Sequence, residues 1–169
     1  MKIVLCGFMG CGKSNIGRRL ARRLGCAFVD MDKYIEDREG MTVTEIFAQK
    51  GEQYFRDTET AVISEIMEQE PVIVACGGGT VMNPQNVEAF HEGGGTICFL
   101  KVPVPALQER LKTDWRRPLL QRPDRRGFIA KLHEERLPKY LAAADKVIDA
   151  GAPPVVVADR IMAELGGQI

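Results

Sequence analysis

Apolar residues fall along this chain in two alternating rhythms. Short, nearly continuous apolar runs at 2–6, Ala27–Asp30, Val72–Cys76, Thr96–Leu100 and Lys146–Asp149 have the length and character of strands buried on both faces. Between them apolar positions recur every three to four residues, as at Ile16, Leu20 and Leu24, the period of an amphipathic helix. Arg18, Arg19, Arg22 and Arg23 lie off that stripe and form its solvated face. Terminus signals agree with the period: Thr42-Val43-Thr44-Glu45 reads as a capping box, and Asn83-Pro84 as an N-cap followed by a first-turn proline. The alternation predicts an α/β fold, a doubly wound parallel sheet of about five strands flanked by helices, with ligands bound beyond the carboxyl ends of the strands.

The residues just past those strands are rich in chemistry. After the first comes Gly7-Phe8-Met9-Gly10-Cys11-Gly12-Lys13-Ser14, a complete G-x-x-x-x-G-K-S phosphate-binding loop between a strand and a helix. Glycines let successive backbone N–H groups turn inward at phosphate oxygens, and the positive end of the following helix adds to their pull. Lys13 is placed to reach the β- and γ-phosphates and the Ser14 hydroxyl to hold Mg²⁺, so a nucleoside triphosphate is the expected ligand. A base-reading Asn-Lys-x-Asp is absent, since Asn15, Asn83 and Asn86 all lack a following lysine. The Asp37-Arg38-Glu39-Gly40 match to D-x-x-G closes a predicted helix instead of following a strand. A small-molecule kinase fits better than a signalling GTPase.

Asp30 and Asp32 follow the second strand. Read as extended backbone, period-two geometry puts both on one side, one toward the metal shell and one toward an acceptor hydroxyl; the alternative is a helix N-cap with a solvated neighbour. Arg56 and Glu59 are three apart on one helical face, close enough for the carboxylate to orient the guanidinium, although such pairs are often plain surface ion pairs, and the same alternative holds for Arg136.

Bulk properties narrow the class. The 169 residues suit one domain, and 23 basic against 23 acidic side chains give a net charge of zero, which points to neither nucleic acid nor membrane. The N-terminus runs straight into the first strand, so no signal peptide is expected. Five cysteines, an odd number without a Cys-x-x-Cys pair, argue against a disulfide framework or zinc site and for a reducing cytoplasm. Cys11 stands apart inside the phosphate loop. Its thiol either faces the positive loop as a reactive thiolate or turns back into the fold. His91 and His133 are expected on helix surfaces. Residues 110–126 carry seven basic side chains against Asp114 and Asp124, with prolines at 118 and 123, and read as a mobile loop that contains Trp115, the only tryptophan.

Taken together and in order, G-x-x-x-x-G-K-S, Asp-x-Asp, Phe-Arg-x-x-Glu, Gly-Gly-Gly, Arg-Pro-Leu-Leu and Glu-Arg-x-x-x-Tyr resemble the shikimate kinase family from about residue 3 to the C-terminus. The resemblance implies a P-loop NTPase, nucleoside-monophosphate-kinase-like fold, in one kinase domain over 1–169, with a substrate-binding helical segment at about 31–60 and a lid at about 111–125. It also implies MgATP-dependent phosphorylation of the 3-hydroxyl of shikimate, on the way to chorismate and the aromatic amino acids. Lys13, Asp32 and Arg117 become the catalytic candidates. Gly10, Cys11, Gly12, Lys13, Ser14 and Asn15 of the loop, with Arg110, Arg117 and Pro154, become the nucleotide-binding ones. Asp32, Arg56, Gly77, Gly78, Gly79 and Arg136 would bind shikimate, and Ser14 with Asp30, through water, would hold magnesium. Expected cofactors are ATP and Mg²⁺, and the expected form is a cytoplasmic monomer. Around Pro154 the sequence Asp149-Ala150-Gly151-Ala152-Pro153-Pro154 lacks an arginine that some members carry, which weakens the assignment of the base pocket. A gluconate kinase-like enzyme or another small-molecule P-loop kinase is the nearest alternative. A nucleic-acid-stimulated ATPase using the 110–126 segment is disfavoured by zero net charge and by the scarcity of aromatic residues among those arginines.

Overall fold

A computed structural model describes residues 1–166. Each apolar run forms a strand: β1 (Lys2–Cys6), β2 (Ala27–Asp30), β3 (Val72–Ala75), β4 (Thr96–Lys101) and β5 (Lys146–Asp149). They pair in parallel in the order β2-β3-β1-β4-β5, so that β1 is the middle strand. Burial follows that order. Every residue of β3 and all but the first of β1 are buried, whereas the edge strands β2 and β5 are largely exposed or half-buried. β3 stops one residue before the expected Cys76, whose N–H still donates to Leu5 at 3.0 Å.

The connections are helices α1 (Lys13–Leu24), α2 (Met31–Glu39), α3 (Val43–Lys50), α4 (Glu52–Met67), α5 (Pro84–Glu92), α6 (Val104–Leu111), α7 (Arg125–Ala143) and α8 (Pro154–Leu165). The expected stripe holds α1 down: Ile16 and Leu20 are buried while Arg18, Arg19, Arg22 and Arg23 face solvent. Gly17 is on that contact face, and a Cβ there would come within 2.5 Å of the Phe28 ring, so α1 lies against β2 closer than alanine allows. Thr42 and Glu45 form the expected reciprocal capping box of α3, and the Asn83 side chain caps α5.

Three expectations are corrected. Asp30 and Asp32 do not share an extended segment, because α2 begins directly at Met31: Asp30 is its N-cap, accepting from the Lys33 N–H, and Asp32 sits in its first turn. His133 is no surface residue, being buried on α7 with its ring 5.5 Å from that of Phe8. His91 is exposed as expected and pairs with Asp145. The basic segment is not wholly a mobile loop either. Arg110 belongs to α6, a 3₁₀ turn at Pro118–Leu120 buries Leu120, and Asp124 caps α7. No helix among the described residues is long and apolar enough to cross a membrane.

Candidate active site

The parallel sheet places five strand ends at one edge, and the loop after its middle strand is the phosphate loop. Gly10 and Gly12 have φ of +77° and +97°, conformations that side chains resist, and a Cβ on Gly10 would strike Leu111 at 2.9 Å. The Lys13 ammonium donates to the carbonyls of Gly7 (2.7 Å) and Phe8 (3.1 Å). Ser14 Oγ donates to Asp30 Oδ2 at 2.5 Å, tying the start of α1 to the end of β2. The Cys11 side chain is turned inward, 1% exposed with its sulfur packed beside Gly7, and the sulfur still accepts from the Lys13 ammonium at 3.7 Å.

A cavity of about 260 Å³ opens beside this loop, lined among others by Gly12, Lys13, Ser14, Asn15, Asp30, Asp32, Gly77, Gly78 and Arg117. The Asp32 carboxyl is pushed up to about 6, first by burial, then by the negative charges of Asp30 and Glu59, with Lys13 pulling the other way. Arg117 is held by Asp114, which accepts from its guanidinium and its backbone N–H, and partial burial lowers its pKa against the pull of Asp32. Arg110 donates to the Gly10 carbonyl at 3.1 Å from the other flank of the loop.

The three consecutive glycines after β3 form the opposite wall, and each faces a charged side chain. A Cβ on Gly77 would lie 2.9 Å from Asp32 Oδ1 and 3.1 Å from Glu59 Oε2. One on Gly78 would lie 3.3 Å from Arg136, and one on Gly79 3.0 Å from both terminal nitrogens of Arg56. The glycines therefore make room for two carboxylates and two guanidinium groups brought in from α2, α4 and α7. Arg56 donates to the buried Glu59 at 3.1 Å, so that pair is no plain surface contact. The Tyr140 hydroxyl donates to the Gly78 carbonyl at 2.5 Å while its ring stacks on Phe99, centroids 5.0 Å apart. Burial raises the Tyr140 pKa, which keeps the phenol protonated as a donor.

Most of the candidate residues thus converge on one cavity and its rim. Pro154 does not: it opens α8 beyond β5 and lines no part of the cavity beside the phosphate loop. Thr80 was invisible in the sequence, a threonine after a glycine run with no period to mark it, yet it is fully buried and donates to Glu59 at 2.9 Å.

The chain as a whole is similar to known proteins. A family model described as shikimate kinase matches residues 9–166. A shikimate kinase from Legionella pneumophila is 40% identical over 168 residues, 99% of this chain and 95% of the relative, and one from Sulfurihydrogenibium is 39% identical over 96% of both. Among solved structures, a shikimate kinase from Acinetobacter baumannii in complex with shikimate superposes with a TM-score of 0.88 at 32% identity, covering 99% of this chain and 94% of that one. The enzyme from Aquifex aeolicus gives 0.86 at 38% identity, covering 99% and 97%. A gluconokinase from Sinorhizobium meliloti, at 0.61 and 18% identity, shares the fold alone. With a five-stranded parallel sheet, a phosphate loop on its middle strand and matches of this extent, the chain belongs to the shikimate kinase family.

Proposed function

We propose that the protein transfers the γ-phosphoryl group of ATP to the 3-hydroxyl of shikimate, giving shikimate 3-phosphate and ADP, as one step toward chorismate and the aromatic amino acids. The observation that carries this reading is the convergence of Asp32, Arg56 and Arg136 on the glycine wall facing the phosphate loop. Two guanidinium groups suit one small anionic acceptor, since each can fork to a carboxylate, and a carboxylate among them suits its hydroxyl.

The geometry supports the following division of labour. Arg56 and Arg136 grip the acceptor carboxylate, and the absence of side chains at Gly77, Gly78 and Gly79 lets its ring lie against the backbone. Asp32 orients the 3-hydroxyl and takes its proton; an acid poised near 6 is ionised at neutral pH and more basic than an ordinary aspartate. On the donor side the amides of Gly10, Cys11, Gly12, Ser14 and Asn15 receive the phosphates. Lys13 exchanges the Gly7 and Phe8 carbonyls for phosphate oxygens. Ser14 and Asp30 present hard oxygens a hydrogen bond apart, a donor set that fits Mg²⁺, with Ser14 as direct ligand and Asp30 through water. Magnesium, when bound, neutralises charge on the β- and γ-phosphate oxygens. Arg117, on the lid at about 111–125, swings from Asp114 to the transferring group, and Arg110 and Pro154 flank the adenine. The acceptor-binding segment at about 31–60 comprises α2, α3 and the start of α4. All of this belongs to one kinase domain over 1–169, of which 167–169 lie outside the described residues, acting as a cytoplasmic monomer without nucleic-acid or membrane partners.

A coupled ADP-release assay offering shikimate, gluconate and AMP separately tests the reading. Stimulation by shikimate is expected. A background rate with shikimate alongside stimulation by gluconate or AMP overturns it.

A further inference from the structure

Behind Arg56 lies a chain of buried polar groups of which only Glu59 belongs to a motif. Thr80, fully buried at the start of a 3₁₀ turn after the glycine wall, donates through its hydroxyl to Glu59 Oε2 at 2.9 Å, while Glu59 Oε1 accepts from Arg56 at 3.1 Å. The backbone of Thr80 is pinned as well. Its N–H donates to Gly77 at 3.3 Å and its carbonyl accepts from the buried Asn86 at 2.9 Å; Asn86 in turn accepts from the Thr60 hydroxyl on α4 at 2.8 Å.

We propose that Thr80 is a positioning residue for acceptor binding, its hydroxyl holding the Glu59 carboxylate in the orientation that aims Arg56 at the acceptor. The proposal rests on the reading of Arg56 as an acceptor-binding arginine. Three features carry it. Glu59 divides its two oxygens between one fixed donor and one functional donor, so loss of the first frees the carboxylate to rotate. Asp32 supplies a force for that rotation, because the Asp32 and Glu59 carboxylates both approach the Gly77 position, within 2.9 and 3.1 Å of where a Cβ would stand, and like charges repel. Arg56 also has somewhere else to go: Glu52, one turn away on α4 and 68% exposed, lies 3.6 Å from its other terminal nitrogen. The Thr80 hydroxyl opposes the repulsion and keeps the guanidinium on its buried partner.

Steady-state kinetics of Thr80→Ala, Thr80→Val and Thr80→Ser, with Arg56→Ala as reference, test this. Ala and Val are expected to raise the KM for shikimate about tenfold, with the KM for MgATP unchanged within about twofold. Ser, which restores the oxygen without the methyl group, is expected within about twofold of the parent on both. Arg56→Ala should raise the shikimate KM further, and adding Thr80→Ala to it should change nothing more, since the two act in series. If Thr80→Val fails to fold, the Ala and Ser variants, one oxygen apart, decide alone. An unchanged shikimate KM in Thr80→Ala, a Ser variant as impaired as Ala, or equal effects on both substrates overturns the proposal while Arg56→Ala keeps the acceptor reading intact. An Arg56→Ala variant with normal shikimate KM overturns both.

Discussion

Asp32 offers a perturbation with opposite consequences for stability and turnover. Its carboxyl titrates near 6 in the fold against an ordinary 3.8. Between those values the native state holds more protons than the unfolded chain, so stability falls as pH rises, and the penalty is complete once pH passes the folded value. Two pKa units correspond to about 3 kcal/mol as an upper bound. Asp32→Asn cannot ionise and escapes the penalty. The variant should therefore be more stable than the parent at pH 8, by roughly 2–3 kcal/mol or about 5–10 °C in Tm for a domain of this size. The advantage should shrink through pH 6 and vanish near pH 4. Because the other titrating groups are common to both proteins, the difference between their curves isolates this one. Urea unfolding without ligands at pH 4.5, 6 and 8 measures it, beside a kcat expected to fall by roughly 10²-fold or more. An Asn variant less stable than the parent at pH 8, or a stability difference independent of pH, refutes the account of burial and neighbouring charge.

For the parent enzyme, kcat/KM for shikimate should decline as pH drops through about 6, since protonation would remove the proposed acceptor of the hydroxyl proton; a profile flat from pH 8 to 5 would count against Asp32 in that role. Arg136→Ala should weaken shikimate binding by about 1.5–3 kcal/mol for a lost charge-assisted bond, with little change in MgATP affinity, as read by calorimetry. Trp115 is 71% exposed with the Arg125 guanidinium 4.5 Å over its ring, so closure of the proposed lid on nucleotide and shikimate should change its emission. Brief iodoacetamide treatment of the native protein should label the half-buried Cys26 and spare Cys11, peptide mapping giving the answer; labelling at Cys11 first would mean that its thiol faces the loop after all.

The strands were readable because parallel strands covered on both faces must be apolar throughout, and β1, β3 and β4 are almost wholly buried. Helix starts at Thr42 and Asn83 were readable because capping chemistry is local. What escaped depends on neighbours far along the chain. Asp32 turns inward because α2 starts without an intervening loop, a choice fixed by packing of Met31 and Ile35, and His133 is buried because Phe8 of the phosphate loop lies over it. For the site, the arginines and glycines were visible as motif positions. The mutual arrangement that pairs each glycine of the wall with a charged side chain exists only once α2, α4 and α7 have been brought to the sheet edge.

The middle position of β1 has a consequence for how such an enzyme can acquire new acceptors. The strands to one side, β3 and β2, lead to Gly77–Gly79, Asp30 and Asp32, and α4, the last of the three helices between them in sequence, carries Arg56; the strands to the other side lead to Arg110 and Pro154. On the proposed roles, one contiguous stretch, residues 27–80, supplies nearly the whole acceptor half, while most of the nucleotide half is encoded elsewhere. Exchanging that stretch for another would retarget the catalyst without rebuilding its donor machinery. Two residues cross the partition: Asp30, the proposed magnesium partner of Ser14, which lies inside the stretch, and Arg136, which reaches Gly78 from α7, more than fifty residues downstream. A transplanted segment would meet an inherited guanidinium it had not been selected with, so new acceptors should either keep an anionic group at that spot or arise together with a change at position 136.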